Sequence, residues 1–116
     1  MERSDIVAYC LGKPGGWPDS PWGEGDTVAK VGDKIFCFYG GEQLAIIVKN
    51  TREAVAEWRT RFPEHVGPAP YLNKQLWNRV VLEGAGAPDE DDAHELIDDS
   101  YGLVVASLPK SKRPTT

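Results

Sequence analysis

The side chains best equipped for recognition chemistry fall in one tract, Tyr71-Leu72-Asn73-Lys74-Gln75-Leu76-Trp77-Asn78-Arg79, which runs straight into Val80-Val81-Leu82. It sets amides, cations and an indole beside a strand-like run, and taken alone it names no reaction. Bond-making chemistry finds less support. Ser20, Ser100 and Ser107 have no histidine at a recognisable spacing, so no activated nucleophile emerges. His65 and His94 lie far apart and outside any triad or metal motif, which suits surface or loop positions. Cys10 and Cys37 each fall on an apolar face without a cysteine or histidine at ligand spacing, and read as core packing. Gly12-x-x-Gly15-Gly16 and Gly84-x-Gly86 lack the strand-to-helix setting and the lysine of a phosphate loop, and read as turns. The acids Asp89 to Asp92 fit water-exposed dipole partners in a helix's first turn better than a cation site. The expectation is a chain with no catalytic residue, no metal and no cofactor.

Those candidates must be positioned by a single domain. A chain of 116 residues can bury roughly two-thirds of the surface that its unfolded form exposes. Its 41% hydrophobic and 27% charged residues are those of an ordinary globule. No apolar run approaches the ~18 residues of a membrane span, and Glu2, Arg3, Ser4 and Asp5 do not open a secretion signal, so a cytoplasmic protein with no membrane partner is expected. The net charge of −5 is local. Residues 1 to 82 hold ten acids and ten bases, whereas residues 83 to 99 hold eight acids and no Lys or Arg. Within residues 49 to 79 six bases face three acids, which allows a modest positive face or an ordinary solvated helix surface.

Hydrophobic spacing then orders the elements. Ile6, Val7, Cys10 and Leu11 predict a short helix capped by Ser4 and stopped at Lys13-Pro14-Gly15-Gly16. Residues 14 to 25, rich in proline, glycine and tryptophan, predict a connecting loop pinned by Trp17 and Trp22. Thr27 to Val31 and Lys34 to Tyr39 flank Gly32-Asp33 as a hairpin, and Leu44 to Val48 adds a strand. Asn50 is the expected cap of a second helix, with Glu53 reaching back and Val55, Trp58 and Phe62 on one face until Pro63. Val66 marks a short strand, Asn73 caps a tight turn, and Trp77 to Glu83 forms the last strand. Pro88 at a first helical position, the acids after it and Lys110 near the far end match the dipole of a third helix. Leu96, Ile97, Tyr101, Val104, Val105 and Leu108 form its apolar stripe, and Gly102 weakens it by roughly 1 kcal/mol in a way that suits close approach of another element. Residues 1 to 110 make the domain, and 111 to 116 are expected to be a disordered basic tail.

The motifs Tyr71-x-Asn73-Lys74-x-x-Trp77-Asn78 before a strand and Ser100-Tyr101-x-x-Val104-x-x-x-Leu108-Pro109 in the last helix occur in this element order together with Pro21-Trp22-Gly23 and Lys30-Val31-Gly32-Asp33-Lys34-Ile35-Phe36. In these respects the chain resembles the MmcQ/YjbR-like family over nearly its whole length. The resemblance implies an α+β domain of two layers, one antiparallel sheet of about five strands with helices on one face, in the order α-β-β-β-α-β-β-α. Its outline is similar to secretion-chaperone folds. It also implies DNA binding through a double-wing arrangement, with no catalytic residues to carry over. The Pro14 to Gly25 loop is longer and richer in tryptophan than the family pattern, and the run Asp89 to Asp92 would repel phosphate on a shared face.

Two binding readings follow. In the first, Lys74, Arg79, Lys110, Lys112 and Arg113 touch the phosphates of duplex DNA while Asn73, Trp77 or Asn78 reaches bases or sugar. The local alternative makes Trp77 a core residue, Asn73 a turn cap and Asn78 a partner for neighbouring backbone, and it is favoured for these three. Lys74 is the least explained by packing. In the second reading the sheet face or an aromatic groove meets a protein partner, drawing on four tryptophans. A monomer is the expected state.

Overall fold

The computed structural model describes residues 1–23 and 25–114. Its elements are α1 (Arg3–Leu11), β1 (Gly16–Asp19), β2 (Val28–Val31), β3 (Lys34–Phe38), β4 (Ala45–Lys49), α2 (Arg52–Arg61), β5 (Val66–Pro68), β6 (Trp77–Val81) and α3 (Glu90–Ser107), followed by a 3-10 turn at Lys110–Lys112. The sheet is wholly antiparallel, in the order β1-β2-β3-β4-β6-β5. It has six strands where about five were expected. The addition is β1, inside the Pro14 to Gly25 segment that had suggested only a loop. Its Pro18 cannot donate to a ladder, but β1 is an outer strand and tolerates it. Pro68 occupies the other outer strand. Both edges are short and carry a proline, which blunts them against pairing with further chains.

The β2–β3 hairpin turns at Gly32-Asp33 as its sequence requires, with Gly32 at φ +61°. A bulge follows: Ala29 pairs with Cys37 but Lys30 pairs with Ile35, so Phe36 is the additional residue. Consecutive Phe36 and Cys37 are therefore both completely buried, while Ile35 and Phe38 are only half-buried. Residues on the buried face include Ala29, Val31, Phe36, Ile46, Val48 and Val80, packed with Ile6 and Cys10 of α1, Trp58 of α2 and Leu96, Ile97 and Val104 of α3. Cys10 and Cys37 are both buried free thiols, and burial first, then the neighbouring Cys10, pushes the Cys37 thiol well up, so its thiolate chemistry is suppressed. Phe36 meets Tyr101 edge to face at 5.3 Å between ring centroids. Ser100 fastens α3 to the sheet: its hydroxyl donates to the Phe36 carbonyl at 2.6 Å and accepts from the Lys49 amide at 2.9 Å.

The helix caps differ from their sequence assignments in three places. Glu2, not Ser4, precedes α1, and its amide donates to the Asp5 carboxylate at 2.7 Å. Thr51, not Asn50, caps α2, its hydroxyl accepting from the Ala54 amide at 3.2 Å, because Asn50 is drawn into the interior at the end of β4. Asp89 caps α3 in a reciprocal pair with Asp92, which places Pro88 one residue before the cap instead of inside the helix. Gly102 is exposed, and a Cβ there would meet nothing within 4 Å, so no element approaches it closely as its presence had suggested. The tail expected to be disordered from Ser111 begins instead as the 3-10 turn. Arg113 follows it, donating to the carbonyls of Leu108 and Ala106, both at 3.0 Å, and so satisfies the open end of α3. Thr115 and Thr116, the rest of that expected tail, lie outside the described residues.

Candidate functional site

Strand alternation sends every second side chain of the sheet away from the helices. Along the central strands those positions are Lys30, Phe38, Ile47, Lys49, Trp77 and Arg79, all half-buried. Register makes them neighbours: Phe38 pairs with Ile47, Ile47 with Arg79, and Lys49 with Trp77. The Phe38 and Trp77 rings meet edge to face at 6.0 Å, and Trp22, 64% exposed, lies parallel to Phe38 at 6.1 Å. Trp22 comes from the segment after β1 and partly roofs the sheet. Beneath it runs a groove of about 420 Å³ whose walls include Trp22, Phe38, Trp77, Lys30, Lys34 and Lys49.

The charges of this groove differ in how far they are engaged. Lys30 is paired with Asp19 at 2.7 Å and sits over the Trp17 ring at 5.4 Å. The Lys30 ammonium bonded to Asp19 holds that carboxyl below its usual range. Lys34 donates to the Ser107 hydroxyl at 3.2 Å, and Arg79 to the Gln43 side chain at 3.2 Å. Among the described residues Lys34, Lys49 and Arg79 form no ion pair. The arrangement can therefore stack flat rings against aromatic faces while ammonium groups hold anions around them.

The residues singled out in the sequence disperse over several surfaces. Trp77 belongs to the groove and Arg79 to the same open face, so Trp77 is not part of the interior. Asn73 is exposed and makes the local bonds of a turn, its carboxamide oxygen accepting from the Gln75 amide at 2.9 Å. Asn78, adjacent to Trp77, points the other way and is completely buried. Its oxygen accepts from Arg59 Nε at 2.7 Å and its nitrogen donates to the Val55 carbonyl at 3.3 Å, so it clamps α2 to β6 and cannot meet a ligand. Lys74 is exposed beside a separate hollow of about 510 Å³ that it shares with Arg52 and Arg59 on the helix side of the turn. Arg59 is committed to structure there, bonding the Lys74 carbonyl at 2.6 Å. Lys110, Lys112 and Arg113 follow α3 beyond Ser107, which lines one end of the groove. Lys110 and Lys112 are exposed, whereas Arg113 is spent on the helix end.

Trp22, Phe38, Lys30, Lys34 and Lys49 were not among the residues singled out for binding. A signal exists for Lys30, Phe38 and Lys49: at outward positions of β2, β3, β4 and β6 the sequence puts lysine, arginine or aromatic rings where a solvated sheet face usually carries small polar residues. No helix of the described residues is long and apolar enough to cross a membrane, and among the described residues no group of three or more His, Cys, Asp or Glu side chains is placed to hold a metal.

Comparison with known proteins agrees with this architecture. The crystal structure of a Deinococcus radiodurans protein with the DUF419 domain superposes with a TM-score of 0.83 at 26% identity, covering 94% of this chain and 83% of that one. A Pseudomonas syringae crystal structure superposes with a TM-score of 0.68, also at 26% identity, over 89% of this chain and 98% of its own. The uncharacterized protein YjbR of Escherichia coli K12 is 32% identical over 114 residues, which span 97% of this chain and 95% of that protein. The YjbR family model matches residues 11–103. The matched segment runs from the end of α1 into α3 and takes in the whole sheet and α2, and the chain belongs to the YjbR family.

Proposed function

We propose that this chain is a non-enzymatic nucleic-acid-binding protein that uses the open face of its sheet, and that its preferred form of ligand is single-stranded DNA. The observation that carries the reading is the groove under Trp22, where three aromatic rings and three lysines surround one hollow. Stacking of a base on an aromatic side chain contributes about 1–3 kcal/mol and tolerates any sequence, because every base has a flat π face. In a duplex those faces are hidden, so a groove built from rings favours unstacked bases over the duplex DNA that the family resemblance suggests. Lys34 and Lys49, which form no ion pair among the described residues, are available to phosphates, and each phosphate neutralised makes binding more sensitive to salt. The acids Asp89 to Asp92 cap α3 on the helix layer, so they do not line this groove.

The test is a titration of labelled single-stranded DNA and of the corresponding duplex at about 50 mM and about 200 mM salt. The single strand is expected to bind more tightly, to quench tryptophan fluorescence, and to weaken steeply with salt. Absence of binding to either form at the lower salt overturns the reading. Equal binding that survives both Trp77→Ala and Lys49→Ala moves it to another surface.

A protein partner is the second reading, favoured by the exposure of Trp17, Trp22 and Tyr71 on one molecule. Tyr71 stands fully exposed at φ +65°, a conformation seldom adopted by a residue with a side chain. Salt-insensitive self-association in sedimentation, with no response to DNA, would favour it. The prolines on both outer strands argue instead for a monomer.

A further inference from the structure

The groove on the open face coincides with a parting of the sheet. Strands β3 and β4 pair at Cys37 with Val48 and at Phe38 with Ile47. Past those pairs the Ser100 hydroxyl of α3 takes up the Phe36 carbonyl and the Lys49 amide in place of a ladder, at 2.6 and 2.9 Å. Helix α3 is therefore reached from the open side: Val104 and Ser107 line the groove together with Ile35 of β3, Lys49 of β4 and Trp77 of β6. The result is a slot of about 420 Å³ under Trp22, within the range of roughly 300–1,000 Å³ for small-ligand pockets.

One acid lines this slot, Asp33 of the β2–β3 turn. Aspartate is common in turns because its carboxylate bonds nearby backbone. The Asp33 carboxylate makes no such bond. It is exposed and has neither a side-chain hydrogen bond nor an ion pair among the described residues, although Lys30, Lys34 and Lys49 line the same hollow. The turn that carries it is pinned from two sides. Trp17 Nε1 donates to the Gly32 carbonyl at 2.8 Å, and a Cβ on Gly32 would lie 3.1 Å from a methyl carbon of Leu108, so the turn backbone packs directly on the residue that closes α3. An unengaged acceptor on a fixed backbone, lining the same slot as the rings, is placed to read the edge of a flat group stacked there.

An ionised carboxylate only accepts hydrogen bonds, through two oxygens side by side. It is matched by a partner with two donors side by side. Among the DNA bases guanine alone presents that pair on its Watson–Crick edge, with N1–H next to the 2-amino group. Adenine and cytosine set one donor beside an acceptor, and thymine sets its one donor between two carbonyls, so each turns a lone pair toward the carboxylate. Unpaired bases are read on these edges when they are splayed out and stacked on aromatic side chains.

We infer that the slot is a guanine pocket and that Asp33 is its specificity-determining residue. The base stacks among the Trp22, Phe38 and Trp77 rings, the Asp33 carboxylate accepts from N1–H and the 2-amino group, and Lys49 meets the adjoining phosphate. A bidentate pair with a base edge discriminates against the wrong base by roughly tenfold. The inference rests on the reading of this groove as a site for single-stranded DNA and adds to it a preference among bases.

The test is a tryptophan-fluorescence titration of the full chain at about 50 mM salt, with an all-thymine strand and with the same strand carrying one central guanine, adenine, cytosine or hypoxanthine. Hypoxanthine is guanine without the 2-amino group. The guanine strand is expected to bind roughly tenfold more tightly than the all-thymine strand, and hypoxanthine to lose most of that gain. Asp33→Asn keeps the shape of the side chain but replaces one acceptor by a donor. It should bring the guanine strand level with the others, while all strands tighten together as a negative charge leaves the groove. A guanine gain below about threefold, with the all-thymine strand still bound, overturns the inference and leaves the single-stranded reading in place. A preference for adenine or cytosine, or a guanine preference that hypoxanthine reproduces or that survives Asp33→Asn, also overturns it. Failure of every strand to bind removes both.

Discussion

Trp77 and Asn78 are neighbours in one strand and belong to opposite faces of one sheet. Asn78 has both its polar atoms bonded inside the helix-covered layer, while Trp77 stands half-buried on the open side against Phe38. The covered face is close-packed, with its polar groups mostly paired. The open face carries rings and cations with little to pack against. If one face accounts for stability and the other for the proposed binding, substitutions on the two should separate these properties.

The largest effect is expected on the covered face. Phe36→Ala removes a completely buried ring beneath Tyr101 and should cost about 4 kcal/mol in urea unfolding. Asn78→Ala should come next at about 3 kcal/mol, because it also leaves Arg59 Nε without its partner and removes the bond to the Val55 carbonyl. Comparable stability in either variant and the native chain would mean that this face is not the structural one.

A smaller change in stability, with a large change in binding, is expected on the open face. Trp77→Ala should cost under about 2 kcal/mol of stability, its ring being only half-buried. The same substitution should weaken single-stranded DNA by roughly tenfold, the contribution of one stacked base. A variant that unfolds without losing affinity per folded molecule would reverse the assignment of Trp77.

The smallest effect belongs to the rim of that face. The Lys30 ammonium holds the Asp19 carboxyl below its usual range, so its stabilising contribution is present above the ordinary carboxylate pKa. It is lost as pH falls through the lowered folded value. Acidification to below the ordinary carboxylate pKa should therefore loosen β1 and alter Trp17 fluorescence, and Asp19→Asn should abolish that response. The pair is surface-exposed, which keeps the change small. A transition at the same pH in Asp19→Asn would assign it to another acid.

How much of this was legible in the chain differs element by element. The Gly32-Asp33 hairpin, the Ala45–Lys49 strand and the helices behind Val55 and Leu96 follow from spacing alone, because side-chain periodicity is a local property. Strand β1 was hidden, because proline and glycine argue for a loop and only an outer position in the sheet makes them acceptable. The cap of α2 was misplaced by one residue, since Asn50 and Thr51 are both good caps and burial of Asn50 decided between them. The candidate groove was partly legible: Trp77 stood out, but Phe38 and Lys49 join it only through strand pairing, and Trp22 only by folding back over Phe38.

By itself the sequence determined the helices and every strand but β1, which residues are apolar enough to be covered, and the family to which the chain belongs. Those follow from periodicity and from motifs read along one dimension. Only the tertiary structure decided that Trp77 faces outward while Asn78 faces in, that the basic residues of one tract part to different surfaces, and that Asn50 is drawn into the interior ahead of α2. The reason is that sheet register, the β3 bulge and helix docking join residues far apart in the chain, and such contacts depend on packing that local residue preferences do not encode.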